Sequence, residues 1–211
     1  LVTNLEEVSY LLNLRDFSSN YSTTIKGKYI ITKRNSNKEL ITDDIKNHIH
    51  NLENIEKIFV DKTCITAYDY SLIKDKAVHL KDNPIKNMKA VKTKEEIKHY
   101  KKCFERTDKA IMATRQFIEE NDNISEYDIS QTLEENFYAF GAKSLSFKSI
   151  VAKDKNSALA HYSQNSKTEI IKEGSLVLID CGAYYEGGYA TDCTRVFVKR
   201  KPTELHKKVY T

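Results

Sequence analysis

The sequence has little of what interrupts regular structure: 211 residues hold six glycines, two prolines and no tryptophan. That scarcity excludes a collagen-like or low-complexity chain, and a hydrophobic content of 40% excludes a disordered one. Long apolar runs are missing as well. The longest aliphatic stretch, Leu176-Val177-Leu178-Ile179, falls far short of the ~20 residues that span a bilayer, so no membrane partner is expected. Arginine is scarce too. Six of the 34 basic residues are Arg and the lysines spread along the whole chain, for a net charge of +4. Nucleic-acid sites draw on Arg forks with interleaved aromatics, so no nucleic-acid partner is expected either. The four cysteines (64, 103, 181 and 193) form no CxxC pair and have no histidine at zinc-finger spacing. They read as free thiols of a reducing compartment, and a cytoplasmic location is expected. The chain opens on Leu1-Val2-Thr3 without a signal profile, and Pro202-Thr203-Glu204-Leu205 starts a helix close to Thr211. Both ends are read as cuts within a longer protein.

What is present is an α+β pattern. Thr3-Asn4-Leu5-Glu6 is a capping box leading into Val8, Leu11 and Leu12 at helical spacing. Tyr29-Ile30-Ile31 and Leu40-Ile41 read as short strands around the turn Asn35-Ser36-Asn37. A polar helix near 43–52 and strands at 58–60 and 77–80 follow. Asp82-Asn83-Pro84 breaks the pattern, and a domain boundary is expected there, giving domains 1–83 and 84–211. Thr93-Lys94-Glu95-Glu96 then opens a helix to about Asn121, with Ile97, Tyr100, Phe104, Ile111 and Ile118 on one core-facing stripe. Ser125 caps a second helix carrying Ile129, Leu133 and Phe137, which Gly141 ends. The last third is strand-rich: one strand over 146–153, then a long hairpin of 175–185 and 189–199.

Four of the six glycines (174, 182, 187 and 188) fall within fifteen residues of this hairpin, which marks special backbone geometry. The hairpin also carries two acids that strands disfavour. A carboxylate there must be exposed, paired or bound to a cation, because burying it alone is very costly. A turn centred on Glu186 would place Asp180 and Asp192 directly opposite each other on one face, with Cβ atoms ~4.5–5.5 Å apart. A divalent cation would relieve their repulsion; a solvent-facing pair, or a bridge to Arg195 or a lysine, would do so equally. His161 sits in the loop Ala158-Leu159-Ala160-His161-Tyr162 and is singled out by position only. Cys181 and Cys193, one residue on from each acid, alternate to the opposite face and read as small core residues.

Four ordered segments carry a family resemblance: Leu145-Ser146-Phe147-Lys148-Ser149-Ile150-Val151-Ala152, Ala158-Leu159-Ala160-His161-Tyr162, Leu178-Ile179-Asp180-Cys181-Gly182-Ala183-Tyr184 and Thr191-Asp192-Cys193-Thr194-Arg195. Together they resemble aminopeptidase P, the Xaa-Pro aminopeptidase branch of the pita-bread metallopeptidases. The resemblance implies an α+β chain: residues 1–83 as the later part of a creatinase-type N-terminal α/β domain, and 84–211 as the first half of a pita-bread catalytic domain.

By position, the resemblance makes Asp180 a ligand of one metal and Asp192 a bridge between two, usually Mn²⁺. His161 matches the histidine beside the substrate carbonyl, both a substrate-binding and a catalytic position. The implied reaction is hydrolysis of the peptide bond before proline by a metal-activated water, on peptides with an N-terminal Xaa-Pro sequence, in a homodimeric enzyme. The family spacing between the two acids is eleven residues and here it is twelve, with Gly187-Gly188 accounting for the added one. The family takes a further His and two Glu from the second half of that domain, so these 211 residues are expected to be inactive alone. A non-catalytic interaction module and a prolidase-type dipeptidase are the other readings.

Overall fold

The computed structural model describes residues 1–32, 40–49 and 55–210, so the turn expected at 35–37 lies outside the described residues. Contacts divide the chain into two compact units: Leu1–Asp16 with Thr23–Thr93, and Phe17–Ser22 with Lys94–Thr211.

In the first unit, α1 (Leu5–Leu12) is followed by the antiparallel pair β1 (Lys28–Tyr29) and β2 (Leu40–Ile41), then α2 (Lys46–Ile49). A parallel pair, β3 (Ile58–Val60) and β4 (Ala77–His79), flanks α3 (Ala67–Ile73). The cap of α1 is Asn4, whose side chain accepts from the amides of Glu6 and Glu7, whereas Thr3 donates instead to the Cys64 carbonyl. The expected break falls at 80–83, between β4 and helix α4 (Pro84–Ala90). Asn83 caps α4 and Pro84 takes its first turn, where the missing N–H costs nothing; this segment packs on α1, and by contacts the units divide after Thr93.

In the second unit, α5 (Lys94–Glu120) packs along α6 (Glu126–Ala139) over a core that includes Ile111, Ile118, Ile129, Leu133 and Phe137. Each such side chain contributes roughly 1.5–3 kcal/mol through burial. The stripe expected on α5 is only partly right. Ile111 and Ile118 are buried, but toward the N-terminus the buried face runs through Thr107 and Cys103, leaving Phe104 and Ile97 exposed. Sevenfold spacing drifts by about 20° per heptad on a straight helix, which carries 104 and 97 off the seam.

The described strands of the second unit form two three-stranded sheets. One has the order β10 (Cys193–Val198), β7 (Leu176–Cys181), β6 (Ile150–Lys153); the other has β5 (Ser144–Leu145), β8 (Ala183–Tyr185), β9 (Tyr189–Ala190). The long hairpin thus passes from one sheet to the other at Gly182. A short 3₁₀ turn, Asp154–Ala158, leaves β6, and α7 (Glu204–Tyr210) follows β10. The far end of β10 is fastened by Lys199, whose side chain is fully buried. Its Nζ donates to the Asn121 carbonyl at the end of α5 and pairs with Asp122 at 3.2 Å. No helix among the described residues is long and apolar enough to cross a membrane.

Candidate metal centre

The hairpin tip sets the site's register. Tyr185 pairs with Tyr189 across Glu186-Gly187-Gly188, and both glycines are left-handed (φ 80° and 76°). Glycine takes this conformation without the steric cost of a Cβ. The turn therefore centres on Gly187 instead of Glu186, and every pair slides by two positions. Asp180 faces Thr194, and Cys181 faces Cys193. The expectation of directly opposed acids is corrected: Asp192 lies on the diagonal, where spacing is roughly 7–8 Å.

A slide of two preserves the face. Along 191–194 burial alternates, with Thr191 and Cys193 inward and Asp192 and Thr194 outward. On β7, Ile179 and Cys181 are fully buried and Asp180 is partly exposed. Asp180 and Asp192 therefore share the outer face. Thr194 Oγ1 donates to Asp180 Oδ1 at 2.8 Å. Arg195, the cation nearest to Asp192 in sequence, turns to Asp108 at 3.6 Å. Among the described residues neither acid has an ion pair.

Behind this face the thiols of Cys181 and Cys193 are pushed above their ordinary range by burial, and all four cysteines are free. A thiol held protonated is a poor nucleophile, in keeping with a packing role.

The sheet switch is built from Gly182, Ser146 and Thr191. Ser146 Oγ donates to the Thr191 carbonyl at 2.9 Å, and the Ser146 amide donates to the Gly182 carbonyl at 3.0 Å. A Cβ at Gly182 would stand 2.0 Å from the Thr191 oxygen, so only glycine admits this approach. From within, Thr107 of α5 shares hydrogen bonds with the Thr191 hydroxyl (2.8 Å) and the Tyr185 hydroxyl (2.9 Å). Asp192 thus follows a residue that is fixed on both sides.

His161 lies on the exposed loop after β6, and no hydrogen bond or ion pair joins it to either acid among the described residues. Its φ of 56° is left-handed, as are Asp154 (44°) and Asn165 (42°) in the same loop. Such a conformation costs a non-glycine residue of order 1 kcal/mol and persists where surrounding contacts dictate it. Tyr162 beside it is buried, and burial together with a hydrogen bond to Glu126 pushes its hydroxyl up to about 12.

Sequence reading passed over Thr194, Ser146 and Glu126. An acid in the first turn of a helix is ordinary, so Glu126 carried no distinguishing signal. Thr194 became visible only once the register was known.

Two carboxylates on one outer face, without a protein cation, fit part of a hard-cation site supplied by oxygen donors. Among the described residues no third His, Cys, Asp or Glu joins them as a metal-holding group.

Comparison with solved structures gives the fold class first: an Xaa-Pro dipeptidase from Bacillus anthracis superposes with a TM-score of 0.79 at 26% identity, covering 99% of this chain and 62% of that one. Residues 98–211 match the model of metallopeptidase family M24, and the chain belongs to that family. Among curated relatives, an Xaa-Pro dipeptidase of Pyrococcus furiosus is 36% identical over 129 residues, 61% of this chain and 36% of that protein. A probable Xaa-Pro aminopeptidase P of Aspergillus clavatus aligns at 26% identity over 251 positions, covering 100% of this chain and 37% of that protein. The chain spans little more than a third of the length of such relatives.

Proposed function

We propose that this chain is part of a metal-dependent Xaa-Pro aminopeptidase that releases the N-terminal residue from peptides with proline second. The observation that carries the proposal is the uncompensated pair Asp180 and Asp192 on one face of the β7–β10 ladder, in a chain of family M24.

In this reading Asp180 and Asp192 hold divalent cations, two Mn²⁺ in the whole enzyme, with Thr194 orienting the Asp180 carboxylate. When bound, the cations supply Lewis acidity and an activated water. His161 binds the scissile carbonyl and steadies the charge that develops on its oxygen. Two carboxylates are an incomplete donor set, so one His and two Glu from outside this pair complete it. Residues 1–211 alone accordingly bind metal weakly and turn over no substrate. As a pita-bread enzyme the whole protein acts as a homodimer, in the cytoplasm, with peptides as its partners. In domain terms, the first unit is the later part of a creatinase-type domain and the second is the first half of the catalytic domain.

Hydrolysis of Xaa-Pro-Xaa peptides by the full-length protein with added Mn²⁺ tests this. Turnover that is abolished by Asp180→Asn and by Asp192→Asn is expected. Absence of turnover with Mn²⁺ bound would leave the reading as a non-catalytic interaction module. A prolidase-type dipeptidase is a second reading, supported by the relatives and the solved structure named Xaa-Pro dipeptidase. Cleavage of Xaa-Pro dipeptides alone, with longer peptides untouched, would establish that one instead.

A further inference from the structure

The loop that carries His161 is tied down by a carboxylate outside the candidate metal centre. Glu126 opens α6 and is completely buried. Its Oε1 accepts from the Lys153 amide (2.7 Å) and Asn156 Nδ2 (2.9 Å); its Oε2 accepts from the Tyr162 hydroxyl (2.7 Å) and the Ser166 amide (2.8 Å). Among the described residues no cation pairs with it: the nearby Lys153 ammonium goes to Glu169 at 3.2 Å. A buried carboxylate is sustained here by four donors and by the positive end of the helix on which it sits. The four donors span residues 153–166, the whole excursion from the end of β6, past His161, to the approach to the next strand.

A second tie comes from the same helix face. One turn further on, Ser130 accepts from Asn165 Nδ2 at 2.9 Å, while Asn165 Oδ1 accepts from the Val151 amide at 3.1 Å. Both ties flank His161, and the loop between them contains three left-handed non-glycine residues. A backbone of that kind stays in place only when held from several directions.

We propose that Glu126 is a positioning residue for His161. By gathering Lys153, Asn156, Tyr162 and Ser166 around one carboxylate, it fixes the loop so that the His161 backbone is held in its left-handed conformation before substrate arrives. This rests on the role given to His161 above. It assigns Glu126 no contact with metal or substrate. Its contribution is preorganisation, which appears in kcat more than in KM.

The test uses the full-length protein loaded with Mn²⁺ and reads two quantities: hydrogen exchange of residues 153–166, and kcat and KM on an Xaa-Pro-Xaa peptide. Glu126→Gln is expected to raise exchange across that segment at least tenfold. It should lower kcat about tenfold or more, with KM within twofold and Mn²⁺ affinity unchanged, and add nothing to the loss in His161→Ala. Tyr162→Phe removes a single donor, leaves α6 intact, and is expected to move both readouts the same way by about threefold. It carries the test if Glu126→Gln does not fold. Unchanged exchange in either folded variant overturns the proposal. So does a loosened loop with undiminished kcat where His161→Ala is slow. Full turnover by His161→Ala overturns the role of His161 itself, and the positioning role with it; that single variant separates the two failures.

Discussion

Thr194 Oγ1 donates to Asp180 Oδ1 at 2.8 Å across the β7–β10 ladder, from the position directly opposite. The hydroxyl takes up one lone-pair direction of the carboxylate and leaves the others free on the outer face. Thr194→Val keeps the shape and strand preference of the side chain and removes the donor. Stability should change by less than about 1 kcal/mol, because the bond is exposed. Mn²⁺ affinity of the full-length protein should fall roughly 10-fold, as for other groups that orient ligands. Titration with Mn²⁺ by electron paramagnetic resonance checks both the affinity and the stoichiometry.

Gly182→Ala should be far more damaging than its single added carbon suggests. The new Cβ would meet the Thr191 oxygen at 2.0 Å and Ser146 Oγ at 2.5 Å, and the first of these is backbone. Relief requires the two halves of the hairpin to separate just before Asp192. A loss of about 1–3 kcal/mol in urea unfolding is expected, of the size seen for overpacked interiors. Weakened Mn²⁺ binding should accompany it.

Thr107→Val strands the buried Tyr185 hydroxyl, whereas the Thr191 hydroxyl, the other partner of Thr107 Oγ1, keeps the Ala183 amide and carbonyl at 3.2 and 3.3 Å. Leaving buried polar groups unpaired costs about 1–3 kcal/mol. Adding Tyr185→Phe removes that orphan, so the double variant should be less destabilised than the sum of the two single ones. A double-mutant cycle in denaturant measures that coupling.

The start of α6 supplies a pH dependence. The Ser125 amide and hydroxyl both donate to Asp128, holding its carboxyl below the ordinary carboxylate range. Unfolding releases this depression, so the unfolded chain takes up the proton first. The contribution is therefore complete above the unfolded pKa of ~3.9 and lost as pH falls through the lower folded value. Asp128 is exposed, so the effect is about 1 kcal/mol or less. Urea midpoints for the native protein and Asp128→Ala should differ by a constant amount from pH 7 to 5 and converge on further acidification.

The helices of the second unit were legible because their signals are local. Ser125 and its partner three residues on declare a start, Gly141 declares an end, and Ile129, Leu133 and Phe137 mark the inner face between them. The acids were legible because strands seldom carry them. The register was not, since moving the turn from Glu186 to Gly187 changes nothing in the alternation of inward and outward residues. It is decided by which backbone conformations two adjacent glycines adopt. Pro84 marked a break but not the helix that follows it: the start of α4 is declared by the Asn83 side chain, which accepts from the Ile85 and Lys86 amides. Glu126 was hidden because its four donors lie 27 to 40 residues downstream and converge only in three dimensions.

The fully buried Lys199 turns the junction between α5 and β10 into a chemical reporter. Amine-reactive reagents modify a lysine only when its nitrogen meets solvent, so this one should stay unmodified while its many surface counterparts react. Its labelling rate would then time the opening of that junction, giving a clock for local unfolding that needs no engineered probe.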